Sequence, residues 1–247
     1  MKLIGELIVI LFMTFMTLSC ATTPAIDTEE IVAEFPPVLV VGSKFVYQVT
    51  NLSTGNMETY IWLVKERKEY DPNLYIPEQY AKRMKEKTKE KQLSYWIELI
   101  GVTEEKKEMR GNFIIYDMNL NLLAFIVNGK ECISYNPLVP QFPWPLKIGK
   151  KWVKKYTTRN LSKGPDAPEP RCKDTVQVMG YEVIKVPAGI FKTFKIHKIG
   201  YEIGKGVRLE ETYWYSPSVG MAVKREGQDY LGNKQLTELV EYHFPKK

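Results

Sequence analysis

The stretch Thr193-Phe194-Lys195-Ile196-His197-Lys198-Ile199-Gly200-Tyr201 decides the fold class, because it carries the alternating and β-branched pattern of a strand. Similar runs surround it in the second half of the chain, at 175–178, 182–186, 207–215, 222–225 and 238–244. Turn-forming pairs such as Ser216-Pro217 end these runs. Short strands joined by turns predict an all-β, mainly antiparallel protein.

The first half of the chain has the same character, with one interruption. Strand patterns occupy 38–41, 44–49, 60–64, 93–102, 112–116, 122–127 and 131–135. Asn128-Gly129 lies between the last two runs, and this pair favours the positive φ angles of a tight hairpin. We therefore predict a strongly curved sheet or an open barrel, with 44% hydrophobic residues available to fill its core.

The interruption near residues 77–91 lacks strand alternation and is rich in helix-forming residues. Ile76, Tyr80 and Met84 are spaced four apart, so they share one face of a helix, and lysines dominate the other positions. We predict one helical insertion here. Two interpretations remain open: a helix that lies on an anionic membrane surface, or a solvated insertion whose narrow apolar stripe packs on the sheet.

Cys20 follows an uncharged, apolar segment at 7–18, which is itself preceded by Lys2. The segment is shorter than the ~20 residues that a transmembrane helix needs, and it has the length of the apolar part of a signal peptide. Met16-Thr17-Leu18-Ser19-Cys20 resembles the lipobox of bacterial lipoproteins. The resemblance implies cleavage before Cys20 and acylation at the new N-terminus. The alternative is an ordinary secretory signal that is cut near Ala21 and removes Cys20.

The lipoprotein interpretation also sets the domain organisation. Residues 1–19 are then a signal peptide, residues 20–37 a lipidated tether, and residues 38–247 the β domain. We expect the proline-rich segment 137–147 to divide the β domain into two similar halves. The lipid anchor predicts a location in the cell envelope, on the outer membrane facing the periplasm if the host is Gram-negative.

The chain has three cysteines, an odd number for an exported protein. Lipidation of Cys20 leaves Cys132 and Cys172, which can form a disulfide in an oxidising compartment. Such a cross-link typically contributes ~2–4 kcal/mol to stability. Two free, buried thiols are the alternative, because the sequence does not give the distance between the two residues.

Two motifs carry a resemblance to a known family: Val183-Ile184-Lys185-Val186-Pro187-Ala188-Gly189-Ile190-Phe191 and Trp214-Tyr215-Ser216-Pro217-Ser218-Val219-Gly220. Together with Phe142-Pro143-Trp144-Pro145, they resemble motifs of exported bacterial proteins of the domain-of-unknown-function 3108 family, over roughly residues 140–245. Pro187 and Gly189 suit a turn, because proline fixes φ and glycine tolerates unusual backbone angles. The resemblance implies architecture and supplies no activity.

The sequence lacks the motifs of common enzymes and metal sites. It contains two histidines, His197 and His243, and no H-x-x-x-H, C-x-x-C, G-x-S-x-G or phosphate-binding glycine loop. Glu210 and Glu211 are adjacent, so in a strand they point to opposite faces and do not form an acid–base pair. We predict a non-enzymatic protein without a metal site or cofactor, and keep a hydrolase without a recognisable motif as a remote alternative.

Charge and aromatic content suggest what the protein binds. Its net charge of +6 suits anionic lipids or envelope polymers, although it also fits simple solubility, and we expect no nucleic-acid partner. Aromatic residues of the second half either line a concave surface for an acyl chain or glycan, or fill the core. They are Trp144, Trp152, Tyr213, Trp214 and Tyr215.

Two functions therefore remain open for the predicted lipoprotein. The first is a binding or assembly module for a lipid or an envelope polymer. The second is a structural lipoprotein that acts through protein contacts, at strand edges and its basic surface. A large apolar cavity would favour the first function, and a filled core with a flat exposed patch would favour the second.

Overall fold

Antiparallel strands make up most of the structure, a computed structural model that describes residues 32–84, 91–103, 105, 107–142, 144–205, 208–228 and 232–246. The strands are β1 (Val32–Ala33), β2 (Lys44–Asn51), β3 (Met57–Tyr70), β4 (Gln92–Val102), β5 (Glu108–Asp117), β6 (Asn121–Val127), β7 (Glu131–Pro140), β8 (Leu146–Lys147), β9 (Lys151–Asn160), β10 (Arg171–Val186), β11 (Gly189–Glu202), β12 (Arg208–Ser216), β13 (Met221–Gln228) and β14 (Lys234–His243). Within these ranges the α-helix is α1 (Glu78–Met84). The predicted all-β, antiparallel fold with one helical insertion is confirmed.

Twelve of the described strands close into a barrel, in the order β10-β11-β12-β13-β14-β2-β3-β4-β5-β6-β7-β9. Strand β14 pairs with β2, and β9 joins β7 to β10, so the described part of this sheet has no free edge. The predicted curvature therefore continues to full closure. Closure satisfies the backbone groups that an edge strand would offer to another chain. Strands β1 and β8 form a separate two-stranded sheet.

Strand β11 shows how the sequence pattern produces the barrel. Phe194 and Ile196 are buried, whereas Lys195 and His197 alternate with them and keep partial exposure. Because alternate residues of a strand point to opposite faces, the apolar set lies inside and the polar set outside. Burying an aromatic or aliphatic side chain of this kind stabilises the fold by roughly 1.5–3 kcal/mol.

The buried residues form three clusters around and within the barrel. The first cluster contains Phe45 and Ile97, the second contains Ile115 and Ile126, and the third is built around Phe194 and its neighbours. Strands β2, β4, β5, β6 and β11 supply these five side chains. The first cluster includes Phe45 of β2 and Leu239 of β14, so side chains from the two ends of the barrel pack together beside the β14–β2 pair.

Helix α1 uses its apolar stripe within the protein. Met84 is fully buried in the second cluster, and Ile76 and Tyr80 pack against the same cluster. On the polar side, Arg83 forms an ion pair with Asp166 at 3.0 Å. The three apolar residues of this segment therefore cover the barrel, as the second interpretation of the sequence predicted. Residues 85–90 of the basic segment lie outside the described residues.

Several predicted boundaries differ from the structure. Residues 38–41 are not a strand, because none of the described strands pairs with them, and of the four only Leu39 is buried. The predicted tether 20–37 includes β1, whose Ala33 pairs with Leu146 of β8. Segment 137–147 continues β7 to Pro140 and contains β8, so it does not separate the sheet into two parts. Residues 31–247 form one compact unit.

Two turns required by the sequence pattern are present. Asn128 and Gly129 have φ angles of 50° and 68°, and they join β6 to β7 as the tight hairpin predicted from this pair. Gly189 has a φ angle of 140° at the turn between β10 and β11. A side chain is costly at such an angle, which accounts for glycine at this position.

Candidate functional site

A cavity of about 340 Å³ lies inside the barrel. Strands β2, β3, β4, β5, β12, β13 and β14 contribute its walls, and the loops around Leu39, Leu120 and Gln141 complete them. Most of the lining side chains are aliphatic or aromatic. They are Leu39, Tyr47, Trp62, Ile97, Leu99, Ile114, Tyr116, Leu120, Gln141, Phe142, Tyr213, Tyr215, Gly220, Met221, Ala222, Arg225 and Thr237.

The alternation of β12 decides which predicted aromatic residues reach this cavity. Tyr213 and Tyr215 line it, whereas Trp214 between them belongs to the opposite face of the strand. Trp214 is nevertheless buried as part of the first core cluster, and the ammonium groups of Lys195 and Lys224 lie over its ring at 5.4 Å and 4.8 Å. Its Nε1 donates a hydrogen bond of 2.6 Å to Glu182. Trp214 is thus outside the cavity lining.

Trp144 and Trp152 lie beside the cavity. Both pack against the third core cluster, and the Trp144 ring is 5.8 Å from the ring of Tyr215. Neither residue belongs to the cavity lining. Of the five aromatic residues predicted from the sequence, Tyr213 and Tyr215 therefore line the cavity, and Trp144 and Trp152 support the wall behind them.

A charged network begins at the cavity wall and is centred on Glu211, which is almost fully buried. Its carboxylate accepts from Lys198 Nζ at 2.8 Å and from Arg225 Nη2 at 3.2 Å, and the Tyr213 hydroxyl donates to it. Burial alone would raise the pKa of Glu211, but Lys198 and Arg225 hold it below its usual value. Glu211 is therefore ionised, and its cationic partners offset the cost of burying it.

Lys154 and Asp174 extend this network onto β9 and β10, where they face each other across the strand pair. Lys154 Nζ donates to the main-chain carbonyl of Gln141 at 3.3 Å, and Asp174 accepts from the Tyr156 hydroxyl at 3.4 Å. Burial and the nearby Lys198 lower the pKa of Lys154 to about 7. We call Lys154, Asp174, Lys198, Glu211 and Arg225 the inner charged cluster.

The tyrosines of the cavity supply neutral hydroxyl groups. Burial raises the pKa values of Tyr47, Tyr116 and Tyr213 above the ordinary value, so all three stay protonated at neutral pH. The Tyr47 hydroxyl donates to the carbonyl of Ala222 at 3.0 Å. The cavity therefore combines a large apolar wall with hydroxyl groups and one accessible guanidinium.

The inner charged cluster was not predicted from the sequence, because its members look like surface charges of a strand. The sequence did contain an indication, because each of these charges lies two residues from an apolar or aromatic residue of the same strand. Lys198 lies two residues after the buried Ile196, Glu211 two before Tyr213, and Arg225 two after the buried Val223. Residues at a spacing of two share one face of a strand, so these charges had to point inward with their apolar neighbours.

A second cavity of about 400 Å³ lies near the second core cluster. Its lining is more polar and includes Ser134, Asn136 and Thr157. Arg159 is paired with Glu169 at its wall, so the two charges neutralise each other. The Arg159 side chain is 14% exposed, against 39% for Arg225, so of these two paired arginines Arg225 is the more accessible to a ligand.

Cys132 and Cys172 are both buried and free. Cys132 Sγ lies 3.2 Å from the Tyr70 hydroxyl on β3. Cys132 is on β7 and Cys172 on β10, with β9 between them, so at roughly 4.8 Å per strand spacing their backbones are too far apart for a disulfide. Of the two alternatives left by the sequence, the structure shows the unpaired one.

The histidines and adjacent carboxylates form no convergent site. His197 contacts Thr212 and Glu210 on the outer face of the barrel, while Glu211 points inward, as predicted for neighbours in a strand. Within the described ranges, no group of three or more His, Cys, Asp or Glu side chains is arranged to hold a metal ion.

Cys20, the predicted lipidation site, lies outside the described residues. Among the helices that the structure describes, none is long and apolar enough to cross a membrane.

No family model matches the chain, and no curated protein matches it in sequence. Solved structures that resemble it include a candidate exported protein of Bacteroides fragilis with a YmcC-like fold, at 12% identity and a TM-score of 0.48, covering 86% of this chain and 100% of the other. A candidate lipoprotein of Parabacteroides distasonis matches at 15% identity and a TM-score of 0.45, covering 85% and 99%. The hypothetical lipoprotein YmcC of Escherichia coli matches at 10% and 0.41, covering 84% and 92%. The resemblance to the domain-of-unknown-function 3108 family stays a prediction.

Proposed function

We propose that this protein is a non-enzymatic, lipid-anchored protein of the cell envelope whose barrel binds a small lipid-like molecule. The apolar cavity inside the barrel carries the proposal. Its volume of about 340 Å³ falls within the range of ~300–1,000 Å³ that ligand pockets occupy, toward the lower end. A pocket of this size suits one narrow chain better than a branched glycan, so a lipid is favoured over an envelope polymer.

The lining supports an apolar ligand. Ile97, Leu99 and Ile114 come from neighbouring strands and present aliphatic side chains, and Trp62 and Tyr215 add aromatic surface. Removing apolar surface of a ligand from water contributes roughly 25 cal/mol per Å². A few polar groups at such a wall would fix the orientation of the ligand, which is the usual composition of a small-molecule site.

A binding role is favoured over catalysis by the state of the buried ionisable groups. Glu211 is held by Lys198 and Arg225, and the surrounding tyrosines are neutral. A general base or nucleophile needs a group that is free to accept a proton or attack a substrate. Glu211 is held in ion pairs instead, and Lys154, the buried amine with a pKa of about 7, donates to the carbonyl of Gln141 and is not among the residues that line the cavity.

The structural alternative, in which the protein acts through contacts with other proteins at its strand edges, receives less support. The described barrel strands pair on both sides, so the main sheet offers no edge to a partner.

Membrane anchoring in this proposal depends on Cys20 and the segment before it. Strand β1 fixes the chain at Val32, shortly after Cys20 in the sequence, so a lipid at Cys20 would hold the barrel near the membrane surface.

A binding measurement with a cavity-blocking variant tests this proposal. The full chain is held in amphipol, and radiolabelled decanol and decanoate are each equilibrated with it by dialysis. Ala222 lines the cavity, so Ala222→Phe should fill part of it and abolish saturable binding. Ile190→Phe adds the same bulk at a position that is 69% exposed, and it should bind like the unaltered protein. If neither compound binds, or if Ala222→Phe binds both normally, the proposed function is wrong.

A further inference from the structure

The inner charged cluster shares residues with the apolar cavity. Arg225 lines the cavity and is paired with Glu211, and Tyr213 lines it while donating to the same carboxylate. Tyr116, another lining residue, lies close enough to Lys198 and Tyr213 for both of them to influence the pKa of its hydroxyl. The cavity therefore has an apolar part and a polar, charged part, which is the arrangement that an amphiphilic molecule requires.

The charges of this cluster balance only while Lys154 is neutral. It contains three basic side chains, Lys154, Lys198 and Arg225, and two carboxylates, Asp174 and Glu211, so protonated Lys154 leaves one positive charge in excess. Lys198 and Arg225 both contact Glu211, and Lys154 donates to a main-chain carbonyl. In a low-dielectric interior an unbalanced charge is costly, and a bound anion would remove the imbalance.

Arg225 is the cation best placed to meet a ligand. The Arg225 side chain is 39% exposed, whereas Lys198, the other cation that contacts Glu211, is 16% exposed. Glu211 itself is 6% exposed, so Arg225 is the accessible member of the three. A guanidinium has five N–H donors, and the contact with Glu211 uses one of its terminal nitrogens. The remaining donors can bind a carboxylate or phosphate group in the geometry that arginine favours.

We infer that the ligand is a single-chain amphiphile with an acidic head group, whose anionic oxygens bind Arg225 and the Tyr116 hydroxyl while its chain occupies the apolar part of the cavity. This inference rests on the proposed function and adds the chemical class of the ligand. At roughly 30 Å³ for a group the size of a water molecule, the cavity holds on the order of ten chain atoms. A chain of that length fits a fatty acid or one acyl chain of a phospholipid.

The buried amine of Lys154 supports the same assignment. Its pKa is lowered to about 7 by burial and by Lys198, so part of the population is neutral when the cavity holds no anion. A nearby anion favours the charged form of a lysine. An acidic ligand would therefore restore the positive charge of Lys154 and gain a further favourable interaction.

The test compares head groups on one chain length. The full chain in amphipol is equilibrated by dialysis at pH 7.5 with decanoate, decyl phosphate and decanol, and Ala222→Phe protein in the same amphipol serves as the blank. We expect at least one of the two acids to bind tenfold or more tightly than decanol. Preference for decanoate indicates a free fatty acid, and preference for decyl phosphate indicates a phospholipid-like head group.

Two charge variants locate the contact. Arg225→Gln should reduce the affinity for the preferred acid about tenfold more than it reduces the affinity for decanol. Lys224→Gln is the matched control, because it removes the same charge from the adjacent residue, whose side chain lies over Trp214 on the other face of β13. The wild-type comparison of head groups remains decisive if Arg225→Gln fails to fold.

Each contrary result has a distinct meaning. If decanol, decanoate and decyl phosphate bind equally, and Ala222→Phe blocks all three, the acidic head group is wrong and the proposed lipid-binding function stands. Acid preference that Arg225→Gln leaves intact, in a variant with normal circular dichroism, overturns the assignment to Arg225. If no compound binds above the blank, both the inference and the proposed function are wrong.

Discussion

The ammonium group of Lys154 lies 3.3 Å from the main-chain carbonyl oxygen of Gln141, inside a barrel whose strands β11 and β13 carry two further cations, Lys198 and Arg225. Lys198 repels it, while Asp174 and Glu211 attract it, and burial outweighs both. The carbonyl dipole of Gln141 gives Lys154 a hydrogen bond without a countercharge. This lysine is therefore the member of the inner charged cluster whose protonation depends on pH near neutrality.

Stability should rise with pH above neutrality because of Lys154. Its pKa is about 7 in the folded protein, against the ordinary lysine value of 10.5 in the unfolded chain. Between these values the unfolded chain binds more protons, so the free energy of unfolding increases with pH and decreases as pH falls toward 7. Relative to Lys154→Met, the wild type should gain on the order of 1 kcal/mol per pH unit in this window.

Urea titrations followed by circular dichroism at several pH values between 6 and 10 check this difference. Lys155→Met is the control, because Lys155 is the next residue on β9 and is exposed. Its difference from wild type should not change across the window. A constant difference between wild type and Lys154→Met would show that Lys154 keeps an ordinary pKa.

Trp214→Ala should destabilise the barrel without affecting ligand binding. The ring is buried in the first core cluster, and its Nε1 donates to Glu182, while alternation along β12 keeps it out of the cavity lining. Replacing a buried tryptophan by alanine typically costs ~3–5 kcal/mol. Chemical unfolding and decanol dialysis measure the two effects separately. Normal stability with lost decanol binding would move Trp214 into the binding site.

Gly189→Val should destabilise the β10–β11 hairpin through its backbone. The φ angle of 140° is costly for a β-branched residue, by about 1–3 kcal/mol. Gly180→Val is the matched control in the same hairpin, since a Cβ there meets no atom within 4 Å and the φ angle is ordinary. The melting temperature should fall for the first variant and change less for the second. Equal shifts would mean that the turn is not strained by a side chain.

The strands were predictable where local pattern and long-range pairing agree. Phe194 and Ile196 alternate with polar residues, and Asn128-Gly129 can form only a narrow range of turns, so sequence alone located these elements. Residues 38–41 have a strand-like composition, yet no strand in the part of the chain that the structure describes pairs with them. The closure of β14 onto β2 depends on contacts between the two ends of the domain, which no local pattern specifies.

The candidate site was less predictable than the fold. Tyr213 and Tyr215 were candidates for a ligand surface or for the core, and the alternation of β12 places them in the cavity wall while it turns Trp214 away. Lys198, Glu211 and Arg225 looked like surface charges, because a strand exposed on one face normally carries them there. Only the pairing of β11, β12 and β13 brings these three side chains together. Their proximity therefore depends on the register in which β11, β12 and β13 pair.

Cys20→Ala should release the protein from the membrane fraction or leave its precursor uncleaved. Each buried CH₂ of an attached acyl chain contributes about 0.8 kcal/mol to membrane binding, so two or more chains hold a protein firmly. Cys172→Ala is the control, because it removes a buried thiol from the barrel and leaves the proposed anchor unchanged. Cell fractionation followed by immunoblotting, with mass spectrometry of the N-terminal peptide, measures both location and acylation. If Cys20→Ala protein is processed normally and stays with the membrane, the barrel is held there by something other than a lipid on Cys20.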